Sequence, residues 1–165
     1  MTTSLSDFAV GVYAADGVSG ACLALQDRLD VDVNVVLFAA YVGAMRAERL
    51  TDAGLGSAME RVGGWHRDVV RPLRSVRRRL KVDPVPGAAQ LRTNLQRLEL
   101  DAEMIELTEL GALAADEGRP SASGTPSERA AAAIGTVVGG GLDEELRGAV
   151  DVIASAAAVW SARPA

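Results

Sequence analysis

One cysteine, one histidine and one lysine occur in 165 residues, and aromatic residues make up only 4%. Each scarcity excludes something. Cys22 alone cannot form an intramolecular disulfide, nor can it build a thiolate zinc site. A lone His66 would leave a metal centre dependent on carboxylates for nearly all its ligands. The Glu-x-x-His pairs of di-iron bundles do not occur either, so no metal and no cofactor is expected. Few aromatics mean that Leu, Val, Ile and Ala must fill the core. Lys81 is the only lysine, and the arginine that replaces it elsewhere reads first as the codon bias of a GC-rich genome.

Positive charge is also in deficit. The net charge of -5 argues against nucleic-acid binding by the surface as a whole. The N-terminal residues lack the basic segment and the apolar stretch of roughly 7 to 15 residues that mark a signal peptide. The longest apolar run, near Val33 to Met45, is shorter than the roughly 20 residues a spanning helix needs. No membrane span is expected, and the cytoplasm is the expected location. Phosphate-loop, dinucleotide-binding and nucleophile-elbow motifs are absent.

What is present is helical periodicity. No segment alternates with period two, while apolar residues recur at three and four throughout. A first helix is predicted over about Leu5 to Ala15, and Asp16-Gly17 breaks it. Ser19 is the predicted cap of a second helix reaching about Leu29. Asp32 stands where the N-cap of a third belongs, and that helix runs to about Glu48. Thr51 or Asp52 opens a fourth, which Gly63-Gly64 is expected to end. A fifth runs from Trp65 to about Lys81, with Pro72 inside it and a kink expected there.

The longest helix follows. Leu91, Leu95, Leu98, Ala102 and Ile105 form one stripe, and Leu100, Met104, Leu107 and Gly111 a second, so neighbours are expected on two sides. It should end near Glu117, before a Gly-, Pro- and Ser-rich linker over 118–127. Thr125-Pro126-Ser127-Glu128 is a capping box for a short alanine-rich helix that a glycine triplet ends. A final helix carries Leu146, Val150, Ile153, Ala157 and Trp160. The whole is read as one all-α domain over residues 1–165, a bundle of about seven or eight helices with one long central helix.

Three features carry functional interest. Arg67, Arg71, Arg74, Arg78 and Lys81 follow 4, 3, 4, 3 spacing and should share a helix face. Residues 65–82 hold seven cations against Asp68, whereas residues 99–117 hold seven carboxylates and no cation. Intramolecular pairing of the two helices is the leading expectation, and a surface that grips a phosphate backbone, an acidic membrane surface or an acidic partner the alternative. Trp65-His66 is read as a helix start, where the dipole disfavours a charged imidazole. Cys22 is read as a buried, inert thiol. The third feature is the polar knot Gln26, Asp27, Arg28, Asp32 and Asn34. It is either a hydrogen-bonded clamp at a buried helix junction, the leading expectation, or a carboxylate and amide pocket for a metal or small polar ligand. Asp27 opposes the helix dipole in its last turn, so a nearby cation is expected.

The same residues carry a resemblance. Cys22-Leu23-Ala24-Leu25-Gln26-Asp27-Arg28, then Asp32-Val33-Asn34 and Leu37-Phe38, resemble a family of small proteobacterial proteins of unknown function. Its pattern runs C-L-x-L-Q-D-R, a short gap, D-V-N-x-x-L-F. Trp65 and Val70-Arg71-Pro72-Leu73-Arg74 through Lys81 are similar to a later pattern of that family. The likeness covers most of residues 5 to about 110, and Phe8 and Tyr41 stand where the family usually has other aromatics. It implies a compact helical domain and brings no activity.

The functional expectation is therefore a non-catalytic cytoplasmic protein that binds a protein partner or organises an assembly. Its expected contact surface is the arginine face with Trp65 and His66. Phosphate-ligand or nucleic-acid binding on that face is the second reading. A metal-dependent enzyme built on Asp27, Asp32 and Asn34 is the third.

Overall fold

The computed structural model describes residues 3–115 and 118–163. Among the described residues there are eight α-helical segments: α1 (Leu5–Tyr13), α2 (Val18–Leu29), α3 (Val33–Ala44), α4 (Asp52–Trp65), α5 (Arg71–Arg79), α6 (Ala88–Ala115), α7 (Pro126–Val138) and α8 (Glu144–Ser161). Among the described residues there is no strand, and Glu48 and Ser121 form an isolated antiparallel bridge. The all-α, single-domain expectation holds. No single described helix is long and apolar enough to cross a membrane.

Local chemistry explains most helix starts. Asp32 accepts from the Asn34 N–H, Thr51 from Gly54 and Asp143 from Leu146. The Thr125–Glu128 capping box is complete, with Pro126 at the first helical position. One cap differs from expectation. Gly17, not Ser19, precedes α2, and its φ of 80° is a conformation that costs glycine little.

The Gly63-Gly64 break does not occur. α4 continues through a five-residue π-helical turn, His66–Val70, directly into α5. Pro72 is the physical reason for the turn. It has no N–H to donate to the preceding turn, and the wider spacing, in which the Arg71 N–H donates to the His66 carbonyl, takes up the mismatch. α4 and α5 thus make one rod, so the segments form seven rods.

The most buried helix is α3. Every residue from Asn34 to Ala44 is buried, and Val35, Val36, Leu37, Phe38 and Tyr41 each contribute about 1.5 to 3 kcal/mol by leaving water. α7 lies along one side of α3, and α1, α2, α6 and α8 surround the rest. Phe8 meets Tyr41 edge-to-face at 5.3 Å, and the Tyr41 hydroxyl donates to the Thr3 carbonyl at 2.8 Å. The segment at 118–125 is no loose linker. Pro120 accepts from the Arg49 N–H and Ala122 donates to the Ala47 carbonyl, which tie it to the α3–α4 connection.

The 28-residue α6 spans about 42 Å. Its expected end near Glu117 lies outside the described residues. Its two apolar stripes are not both covered. Leu91, Leu98 and Ile105 are about half exposed, as are Leu100 and, less so, Met104, while Ala102 and Leu107 are buried. Among the described residues, none covers Leu91, Leu98 or Leu100 on the outer side of its N-terminal half.

α3 and α7 approach closely at Gly43, where a Cβ would collide with the backbone of Arg129. Arg129 in turn donates from Nε to the Gly43 carbonyl at 2.9 Å, serving the end of α3. Gly43→Ala should therefore lose about 1 to 3 kcal/mol of unfolding free energy in a urea titration. Gly148→Ala, in α8 with open space around it, should gain about 0.5 to 1 kcal/mol. Equal effects of the two would contradict the close approach.

Candidate functional site

Four polar residues from three remote stretches meet beneath the surface. Asp32 stands at the start of α3 and is 8% exposed, and Asn34 lies in its first turn. Glu106, in the middle of α6, is fully buried. His66 opens the π turn, with a side chain 15% exposed. Its Nδ1 is 3.0 Å from Glu106 Oε1 and 3.1 Å from Asp32 Oδ2. The Asn34 side-chain amide donates to Glu106 Oε2 at 2.6 Å. Asp32 Oδ1 accepts the Asn34 N–H at 2.8 Å. Trp65, beside His66, donates from its indole to the Ala102 carbonyl at 3.0 Å and holds the rod against α6.

One Nδ1–H points best at a single carboxylate. The hydrogen bond goes to Glu106, and Asp32 Oδ2, though close enough for charge attraction, is buried without a donor. Burial by itself would push the imidazole down. Hydrogen bonding at the ring and the charges of Asp32 and Glu106 outweigh it and hold His66 up at about 9. Two expectations are corrected here. His66 is not at a helix start, because the rod is continuous, and its charged form is favoured rather than disfavoured.

Next to this cluster, the arginine face is largely paired. Arg74 donates from Nε to Glu99 at 3.0 Å, from Nη2 to Glu103 at 2.8 Å and from Nη1 to the Gln26 side-chain amide oxygen Oε1 at 2.6 Å. Arg77 grips both oxygens of Glu99. Burial raises the Glu99 carboxyl, but the two guanidinium groups more than reverse this and leave it lowered. Glu103 ends raised, with burial outweighing Arg74. Arg71 reaches Asp30 at 3.1 Å, and Arg78 reaches Asp27 at 3.3 Å. The pairing therefore spans both α6 and the last turn of α2. Arg67 is diverted to its neighbour Asp68, and Lys81 is exposed.

The polar knot divides. Asp27 finds the cation it was expected to need, but its side chain is 57% exposed, so it is no half of a buried pair. Arg28 points to Asp143 and Glu145 at the start of α8, away from the knot. Gln26 joins Arg74. Only Asp32 and Asn34 reach the buried cluster. Cys22 is buried, and burial pushes its thiol up to about 12, which removes it as a nucleophile.

A cleft of about 500 Å³ opens above these groups, between α1, α2, α3, α5 and α6. Asp32, Asn34, Gln26 and Arg74 lie along its polar part. Val10, Tyr13, Leu23, Leu100 and Met104 form its apolar walls, and all five are exposed.

Residues 4–110 match the sequence profile of a family described as "Protein of unknown function (DUF2390)". The chain belongs to that family. The DUF2390 match takes in α1 to α5 and most of α6, and with them every residue of the cluster and the cleft walls; α7 and α8 lie beyond it. Comparison with curated proteins and with solved structures gives no match.

Sequence reasoning expected residues 99–117 to pair with the arginine helix but did not single out Glu106 or Arg77. A signal was available. Glu99, Glu103 and Glu106 follow the same 4, 3 spacing as the arginines and so share one face of α6.

The cluster predicts a pH dependence. The His66 proton is held more tightly in the folded chain than at the ordinary value near 6.5. The stability this contributes is complete below about pH 6.5 and is lost as pH rises through about 9. Between pH 7 and 8.5, in chelator-containing buffer, unfolding free energy should fall by up to about 1.4 kcal/mol per pH unit. His66→Gln should remove that slope; a slope that survives would exclude His66 as its source. Asp27→Ala should cost under about 1 kcal/mol. Glu106→Ala should cost more than about 2 kcal/mol, because Asn34 and His66 lose their acceptor and a cavity forms. Chemical denaturation of both variants orders the two sites.

Proposed function

We propose that this protein is a non-catalytic interaction module that takes an apolar helical segment of a partner protein into the cleft between α1, α2 and α6. The observation that supports this most is the cleft wall itself. Val10, Tyr13, Leu23, Leu100 and Met104 leave large apolar side chains exposed around one concavity. Contiguous exposed apolar surface rimmed by polar groups is the mark of a contact site, whereas isolated apolar residues are not. A cytoplasmic setting belongs to the same reading, supported by the single cysteine being a buried free thiol.

This moves the proposed contact surface from the arginine face to the cleft. The phosphate or nucleic-acid reading gains nothing from the geometry, since Arg71, Arg74, Arg77 and Arg78 each lie within ion-pair distance of a carboxylate. The enzyme reading loses Asp27, which faces solvent and Arg78.

A photo-crosslinking residue at position 100, compared with one at position 147 on α8, tests the proposal in the native cell. A discrete adduct of defined mass is expected at 100 only, and Tyr13→Glu should reduce it about tenfold or more, as a hot-spot loss does. Equal adducts at both positions, or an adduct at 100 indifferent to Tyr13→Glu, would sink the cleft as the contact site.

A further inference from the structure

We propose that Asp32, His66 and Glu106 bind one divalent first-row transition-metal ion, such as Mn²⁺, Fe²⁺ or Zn²⁺. One ligand atom from each lies within 4.8 Å of the others. The arrangement of the second oxygens supports more than proximity. Asp32 commits Oδ1 to the α3 cap, and Glu106 commits Oε2 to the Asn34 amide. Each carboxylate therefore turns its remaining oxygen toward the same point, where the His66 ring presents Nδ1. Donors fixed by outer hydrogen bonds in this way are what oriented metal ligands require.

The distances suit the ion. In a six-coordinate site, ligands about 2.1 Å from the metal and at right angles to one another are separated by roughly 3.0 Å. His66 Nδ1 stands 3.1 Å from Asp32 Oδ2 and 3.0 Å from Glu106 Oε1. One nitrogen and two carboxylate oxygens on one face leave the remaining positions to water, a donor set that suits first-row divalent ions better than thiolate-seeking ones.

A second, independent observation is the orphaned oxygen. Asp32 Oδ2 is buried, makes no hydrogen bond, and has His66 Nδ1 at 3.1 Å as its one ion-pair contact among the described residues. A buried carboxylate oxygen without a donor is costly, and a cation at that point satisfies it. A dication also cancels both carboxylate charges while leaving the imidazole in its neutral, ligating form. The cleft that opens to solvent reaches Asp32 and Asn34, beside the cluster.

The test uses the full chain, free of any affinity tag and stripped with chelator, titrated calorimetrically with MnCl₂ and ZnCl₂. One ion per chain is expected to bind. Asn34→Ala should weaken it about 10- to 100-fold and Glu106→Gln by more. Asp32→Asn keeps a competent N-cap and should weaken binding as Glu106→Gln does, while Asp27→Asn should leave it unchanged. Should the buried variants fail to fold, the wild-type chain decides alone, because it has one histidine. Zn²⁺ should shift the His66 imidazole nitrogen resonances, and Mn²⁺ should broaden the Asn34 side-chain amide. Absence of saturable binding, binding unaltered by Asp32→Asn and Glu106→Gln, or an unshifted His66 would each overturn the site.

Discussion

The imidazole of His66 lies between two carboxylates that the fold removes from water, and three remote stretches of chain are joined there. Asp32 fixes where α3 begins, Glu106 fixes which side of α6 faces inward, and His66 fixes how the α4–α5 rod lies across both. Buried charge is tolerable only when it is compensated in place. Separating any of the three elements would strand a carboxylate or an imidazolium in the interior. The cleft inherits its shape from this constraint, since its walls are the helices that the cluster holds at fixed distances.

Arg74 extends the same logic toward the surface. Its three hydrogen bonds go to α6 and to α2, so one guanidinium connects elements that otherwise touch little. Arg77 adds a second grip on Glu99. The basic and acidic helices thus spend their opposite charges largely on each other and on α2. A surface that looks strongly polarised in the sequence is, in the fold, close to locally neutral.

The parts of this fold legible in the sequence are those governed by neighbours in the chain. Helical periodicity gave the class, and Asp32, Thr51 and the Thr125–Glu128 box marked helix starts because a cap is decided within four residues. The run Val33 to Ala44, apolar on every side, announced a buried helix. What was not legible depended on distant parts of the chain. Gly63-Gly64 has the composition of a break, yet the rod continues because its neighbours hold it. Asp27 was expected to need a nearby cation, and the one it finds, Arg78, lies at the surface, outside the buried cluster. Glu106 was one carboxylate among many on α6, and only the approach of His66, forty residues away, distinguishes it. The exposure of Leu91, Leu98 and Ile105 was equally hidden, because periodicity reports which residues share a face and not whether anything covers it.

The π turn at His66–Val70 has a geometric effect beyond admitting Pro72. A π turn amounts to one residue more than an α-helix would use over the same rise, and one residue is about 100° of rotation. Everything after it is therefore out of phase with everything before it. Arg67 lies inside the turn and pairs with Asp68, while Arg71, Arg74 and Arg78 follow it and meet α2 and α6. The even spacing of these cations in the sequence conceals that offset. A single-residue deletion inside the turn would restore an unbroken helix and swing the downstream arginines by more than a quarter of a circle, away from the carboxylates they now hold.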